Sequence, residues 1–397
     1  MSKHHWVLTD VARSIWQDSF RCSPREGVPP LAGAAEWSVS KRTLRGGLAD
    51  GVDVIDLDNG CLSVSILPTR GMGLWRGVCG ELELGWKSPV PMPVHPGFVN
   101  PNERGGLGWL NGFNEWLCRC GLAFNGPPGT ELILRDDGSQ VRNEITLHGR
   151  IANLPAHHVE VEVATDGPGM LAVTGIVDEV SMFGPCLRLR STILTEAGSN
   201  RLTILDQITN LAGVPAELEL LYHTNMGRPF LEQGARFVAP VLDVAPRDDR
   251  AIQGLAEFET YLGPTPGFAE QCYFFELAAD NTGDTLALLR NAAGDKGVSL
   301  HFNKKQLPCF TLWKCTQAEA DGYVTGLEPG TNFPNFKGVE RKHGRLIYLA
   351  PGASYDVRLD LAIHNSAKAV STIETRIAAM QKGHPPRIFD APQPKYL

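Results

Sequence analysis

The 397-residue sequence is short of most features that announce a chemistry. No run approaches the ~20 consecutive apolar residues of a membrane span, so no membrane partner is expected. The start, Met1 to Arg13, has neither a long apolar core nor a small-residue cleavage site, which predicts a cytoplasmic protein. Positive charge is in deficit: 37 Lys+Arg stand against 44 Asp+Glu, a net charge of −7. That balance removes the electrostatic drive for binding nucleic acid. The nine cysteines include no CxxC pair, and the closest two, Cys118 and Cys120, cannot make a four-ligand zinc site. They read as reduced, buried thiols. Gly71-Met-Gly73 lacks the third glycine and the helix of a dinucleotide fingerprint, and no P-loop, GxSxG or HExxH occurs. No repeat of solenoid or propeller period and no βαβ rhythm are present.

What is present is strand pattern. With 43% hydrophobic and 20% charged residues, the composition is that of a globular protein with a sizeable core. His158-Val-Glu-Val-Glu-Val163, Leu187-Arg-Leu-Arg190 and Val357-Arg-Leu-Asp-Leu-Ala-Ile363 alternate with period two, the mark of half-buried antiparallel strands. Runs at 61–67, 131–135, 143–148, 216–223, 272–277, 285–290, 298–302 and 345–349 read alike. The 42 glycines and 28 prolines supply the turns between them. Helical spacing appears at Val370, Ile373, Ile377 and Met380, within 367–380. The expected fold is all-β: one large antiparallel β-sandwich over 36–365, with minor flanking helices. An N-terminal extension, 1–35, packs on this body, and a C-terminal helix and tail occupy 366–397.

One stretch breaks the pattern. From Trp86 to Gly129 the chain is rich in Trp, Pro, Gly and Asn, including Gly108-Trp-Leu-Asn-Gly-Phe-Asn-Glu-Trp116. Long aromatic loops on a rigid scaffold commonly form binding sites, and Trp109 offers a face on which a sugar ring stacks. The same loop reads equally well as an apolar cap over one mouth of the sandwich. Four short polar motifs sit at strand ends: Leu67-Pro-Thr-Arg-Gly-Met-Gly73, Leu147-His-Gly-Arg-Ile-Ala-Asn153, Leu221-Tyr-His-Thr-Asn-Met-Gly227 and Gly326-Leu-Glu-Pro-Gly-Thr-Asn-Phe-Pro334.

Their order along an all-β chain resembles the aldose 1-epimerase (galactose mutarotase) superfamily. Within it, the closer likeness is to an uncharacterised epimerase-like branch marked by Pro68-Thr-Arg-Gly-Met72, Gly85-Trp-Lys-Ser-Pro89 and Cys120-Gly-Leu122. The resemblance runs from about Val39 to His364. It implies a large sandwich that binds sugars on its concave face without a cofactor. His148-Gly149 is similar to the family's substrate-binding segment, Tyr222-His-Thr-Asn225 to the segment of its general acid, and Leu327-Glu-Pro329 to that of its general base. His223 and Glu328 are then the expected catalytic pair, with pKa values that suit acid–base exchange near neutrality. Arg70 and His148 are expected to hydrogen-bond sugar hydroxyls. Asn225, two residues beyond His223, shares its strand face. Arg228 reads as a partner for a substrate carboxylate or phosphate, or as a rim charge. The family's substrate-binding Asp has only Asp248 and Asp249 as candidates. Two other readings stay open: a lyase, hydratase or isomerase acting on a keto-sugar, and a non-catalytic sugar-binding protein. In the first of these, His95, His148, His223 and Glu328 are conceivable metal ligands, although no metal site is expected from their spacing. Oligomeric state is left open.

Overall fold

Strands form where the sequence alternates, and they run longer than the alternation alone marks. Leu187-Arg-Leu-Arg190 lies inside the strand Cys186–Glu196, whose Leu187, Leu189 and Ile193 are buried while Arg190 faces out. The computed structural model describes residues 3–134 and 138–397, so the last residue of the expected strand 131–135 lies outside the described residues.

Most strands belong to two sheets, an antiparallel one of ten strands and one of fourteen that is antiparallel except where Arg387–Ile388 pairs parallel with Val241–Pro246. The ten-stranded sheet is built around Met170–Val180, Cys186–Glu196, Arg201–Asn210 and Ser354–His364. The larger sheet has Leu117–Leu122, Ala216–Met226, Tyr323–Gly330 and Cys309–Thr316 as consecutive neighbours. Val159, Val161 and Val163 from the first sheet meet Leu62, Val64 and Ile66 from the second in a single apolar cluster, as in a face-to-face sandwich.

The termini are woven into this body. Lys3–Asp10 pairs with His158–Ala164 in the ten-stranded sheet, and Phe20–Cys22 pairs with Ser38–Thr43 at an edge of the larger one. The C-terminal helix, Ala367–Gln381, starts at Ser366, whose hydroxyl accepts from the Ala369 amide. It buries Val370 and Ile377 against Leu286 and Leu288 on the outer face of the smaller sheet.

A buried ion pair joins the sheets. Arg119, on Leu117–Leu122, donates from Nε and Nη2 to Asp206, from Nη2 also to Ser191, and from Nη1 to the Gly71 and Met72 carbonyls. All five guanidinium protons are thereby engaged. Tyr222 Oη donates to the same Asp206 at 2.7 Å. The two strands that border the site described below are thus tied, through the core, to the opposite sheet.

Candidate active site

In the strand Ala216–Met226, Leu218, Leu220, Tyr222 and Met226 pack into the inter-sheet core. Period two therefore sends Leu221, His223 and Asn225 to the outer face. In the neighbouring strand Tyr323–Gly330, Leu327 points inward and Glu328 outward by the same rule. The register pairs Thr224 with Leu327 and Asn225 with Gly326. One residue further along, it sets His223 directly opposite Glu328. The His223 Nε2 atom lies 3.2 Å from Glu328 Oε1, within ion-pairing distance but out of line for a hydrogen bond. Gly326 makes this contact possible, because a Cβ there would come 2.4 Å from Glu328 Oε1 and 3.1 Å from His223 Cε1.

Asn225 determines which nitrogen of His223 is free. Its Nδ2 donates to the Glu115 carbonyl at 2.9 Å, so its Oδ1 is the atom that meets His223 Nδ1 at 2.7 Å. Nδ1 must carry the proton, and in the neutral ring the Nε2 lone pair then faces Glu328. Burial pushes the Glu328 carboxyl up to about 8, with nearby Glu270 adding to the shift and Arg247 opposing it. Burial also pushes His223 down to about 4. Near neutrality the pair therefore shares one proton between Glu328 and Nε2, resting on Glu328 beside a neutral, Nδ1-protonated imidazole.

The pair lies in a cavity of about 470 Å³ walled by Trp109, Phe113, Leu147, Trp313 and Phe336. The aromatic loop is its lid. Trp86 Nε1 donates to the Glu115 carbonyl, Ser88 Oγ donates to the Phe113 carbonyl, and the Trp109 and Phe113 rings stand 4.7 Å apart. His148 enters from a turn and not from a strand: the strand 140–145 ends before it, and its φ is +58°. That left-handed conformation costs a non-glycine residue on the order of 1–3 kcal/mol. It is held by backbone hydrogen bonds to Gly126 and Gly121. Burial, then the neighbouring His223, press the His148 imidazole down to about 3. Trp109 Nε1, His148 Nδ1 and Glu328 Oε1 are buried and have no hydrogen-bond partner. Three such atoms on residues lining one cavity are a demand for a polar ligand.

Of the expected site residues, His223, Glu328, His148 and Trp109 are brought together. Asn225 stands behind His223 and does not line the cavity. Arg70 is not there at all. It is buried, with Nε on Glu115, Nη1 on the Val94 carbonyl and Asn153, and Nη2 on the Gly112 carbonyl. With four of its five N–H groups engaged by the protein it staples the aromatic loop to the sheet and does not line the cavity, contrary to its expected contact with sugar hydroxyls. Arg228 is exposed, pairs with Glu319, and lines a separate groove beside Trp75 and Trp86. Asp248 accepts from the Ala251 amide at a helix start and from Arg247, and neither it nor Asp249 lines the cavity. His95 sits apart, its amide bonded to the Leu48 carbonyl. Among the described residues no three of His, Cys, Asp and Glu are grouped as metal ligands.

Sequence reasoning missed a polar wall opposite the pair. Arg247 donates to Glu270 at 2.9 Å, and Trp313 Nε1 donates to the other Glu270 oxygen at 2.7 Å, all three lining the cavity. Arg247 directly precedes the Asp248 and Asp249 candidates, so the segment was visible while the residue was not. Nothing local marks Glu270, just before the strand Gln271–Leu277, or Trp313, within Cys309–Thr316.

A search of curated proteins matches nothing. Among solved structures, a "putative aldose 1-epimerase" from Klebsiella pneumoniae subsp. pneumoniae MGH 78578 is 36% identical, with 99% of each chain covered and a TM-score of 0.91. A galactose mutarotase-like protein from Clostridium acetobutylicum is 16% identical over 81% of this chain and 97% of its own, with a TM-score of 0.53. Galactose 1-epimerase from Lactobacillus acidophilus NCFM is 14% identical over 82% of this chain and 98% of its own, with a TM-score of 0.50. The fold is that of the mutarotase-like all-β sandwich. The family model described as "Domain of unknown function (DUF4432)" matches residues 49–363, most of the chain, and the protein belongs to that family.

Proposed function

We propose that this protein is an aldose 1-epimerase that interconverts the anomers of a free sugar through His223 and Glu328. The observation that carries the reading is the cross-strand pair itself, a carboxyl and an imidazole 3.2 Å apart on residues that line an aromatic cavity with three unpartnered buried polar atoms. The aromatic walls suit the C–H faces of a pyranose. Trp109 Nε1, His148 Nδ1 and the Arg247–Glu270 wall suit its hydroxyls.

Ring opening needs one proton removed from the anomeric hydroxyl and one delivered to the ring oxygen. The C1–O5 bond breaks, C1 becomes an aldehyde carbon, and rotation about C1–C2 presents its other face. Closure returns both protons along the same routes. Each member of the pair is thus acid in one half-reaction and base in the other, and the pair's proton count never changes. With Glu328 at the anomeric hydroxyl and His223 at the ring oxygen, the proton must first pass from Glu328 to Nε2. Hydroxyls that donate to the carboxylate favour that transfer by stabilising its ionised form.

The decisive experiment is an NMR exchange assay over a panel of aldoses, reading anomer interconversion and any new product together. Glu328→Gln keeps the shape but cannot accept the proton. Its turnover is expected to fall ~10²–10⁴-fold, while sugar binding, followed by Trp109 and Trp313 fluorescence, persists. Near wild-type exchange by folded Glu328→Gln overturns the assignment, and binding without exchange in the wild type makes the protein a sugar binder.

A further inference from the structure

The ten-stranded sheet carries a second polar cavity on its outer face, on the side of the sandwich away from His223. In the strand Gly297–Asn303, Val298, Leu300 and Phe302 enter the core, so Ser299 and His301 face outward. The C-terminal helix covers part of this face, and beside it lies a cavity of about 320 Å³. Arg376 from the helix and Arg201 from the strand Arg201–Asn210 both line it, and neither forms an ion pair among the described residues. The two carboxylates in the lining have other partners. Asp360 is held by Arg358 and Thr203, and Asp284 accepts from Asn303 and Thr282. Asp284 and Asp360 thus share the cavity lining, but no carboxylate among the described residues stands within ion-pairing distance of either the Arg201 or the Arg376 guanidinium.

The cavity floor is a directional relay. Arg376 can only donate, so its contact with His301 Nδ1 at 3.4 Å makes that nitrogen the acceptor. His301 Nε2–H then donates to Ser299 Oγ at 2.8 Å, and the Ser299 hydroxyl donates to His364 Nε2 at 2.8 Å. The pattern requires both rings to be neutral. It agrees with burial, then the positive fields of Arg201 and Arg376, pressing His301 to about 4 against the opposing pull of Asp360.

We propose that this cavity binds a phosphate-class oxyanion, gripped by Arg201 and Arg376 over the His301–Ser299–His364 floor. A bound dianion cancels the field of the two arginines and draws the Arg376 N–H away from His301 Nδ1. His301 then takes up a proton and becomes a third donor. Of the other groups facing it, Asp360 and Asp284 favour that protonation, while Arg358 and His364 oppose it or are neutral. The site does not depend on the sugar chemistry proposed above.

Sulfate is the clean probe, because its charge is constant between about pH 5 and about pH 8 and any pH effect belongs to the protein. Calorimetry on the full chain at fixed ionic strength should show one sulfate per chain, bound more tightly as pH falls, with proton uptake. Arg201→Gln and Arg376→Gln should each weaken it by roughly tenfold or more, and leave folding and anomer exchange unchanged, since both side chains are exposed. Inorganic phosphate and a hexose phosphate form two further arms. Tighter binding of the ester assigns the site to a phosphorylated metabolite, and equal binding to the free ion. Undiminished sulfate binding by the double variant, or equal stabilisation by chloride, overturns the proposal.

Discussion

Tyr222 and His223 are adjacent in the chain, yet they look into opposite worlds. Tyr222 donates into the pair Arg119–Asp206, where every guanidinium proton has an acceptor. His223 faces Glu328, whose Oε1 has no hydrogen-bond donor. Both pairs are buried; Arg119–Asp206 crosses between the two sheets, whereas His223–Glu328 links neighbouring strands of the larger one. In the first, full hydrogen-bond satisfaction offsets the desolvation of the buried groups and the pair serves as a structural tie. In the second, too few partners accompany the burial, so the charges are given up and one proton is left free to move. Burial alone does not decide how such a pair holds its protons; the number of partners does.

That contrast can be broken from either side. Arg119→Ala leaves Asp206 buried without its cation and is expected to lower unfolding stability by about 3–5 kcal/mol, measured by denaturant titration, with turnover per folded molecule nearly unchanged. The reverse outcome, lost turnover at full stability, would erase the distinction between the two pairs. Gly326→Ala acts on the other side: its methyl would stand 2.4 Å from Glu328 Oε1 and push the pair apart. A displacement of that order is expected to cost ~10²-fold in kcat/KM, with a much smaller change in melting temperature.

The smallest effect tests how the pair holds its proton. Below about pH 4, His223 protonates and the pair has no base; above about pH 8, Glu328 ionises and it has no acid. The profile of kcat/KM should be a broad bell between these limits, which belong to the pair as a unit. Asn225→Asp places a carboxylate against Nδ1, stabilises the imidazolium, and should raise the acid limb by ~1 pH unit. An unmoved limb would mean that Asn225 only supports the fold.

Much of the fold was legible because its signal is local. Alternation in 158–163 and 357–363 located strands that the structure extends by a few residues, and 187–190 marked one end of the longer strand Cys186–Glu196. The helix expected at 367–380 is Ala367–Gln381. The run 143–148 was less faithful, since His148 looks like a continuing strand residue and is instead a left-handed turn residue fixed by the Gly121 and Gly126 backbones. Residues 1–35 carried no signal that they would supply strands to both sheets, because edge pairing is decided by the partner.

The sequence by itself determined the strand-rich architecture and the shared face of His223 and Asn225, which follow from period-two geometry, while its resemblance to the epimerases named His223 and Glu328 as candidates. Only the tertiary structure decided the rest. The register of two strands a hundred residues apart set His223 opposite Glu328, and packing consumed Arg70 in the loop while leaving Arg228 in another groove. Arg247, Glu270 and Trp313 joined the cavity by the same non-local pairing. The resting place of the proton was also beyond the sequence, because a carboxyl and an imidazole shift in opposite directions only when burial withdraws the water that would hydrate their charged forms.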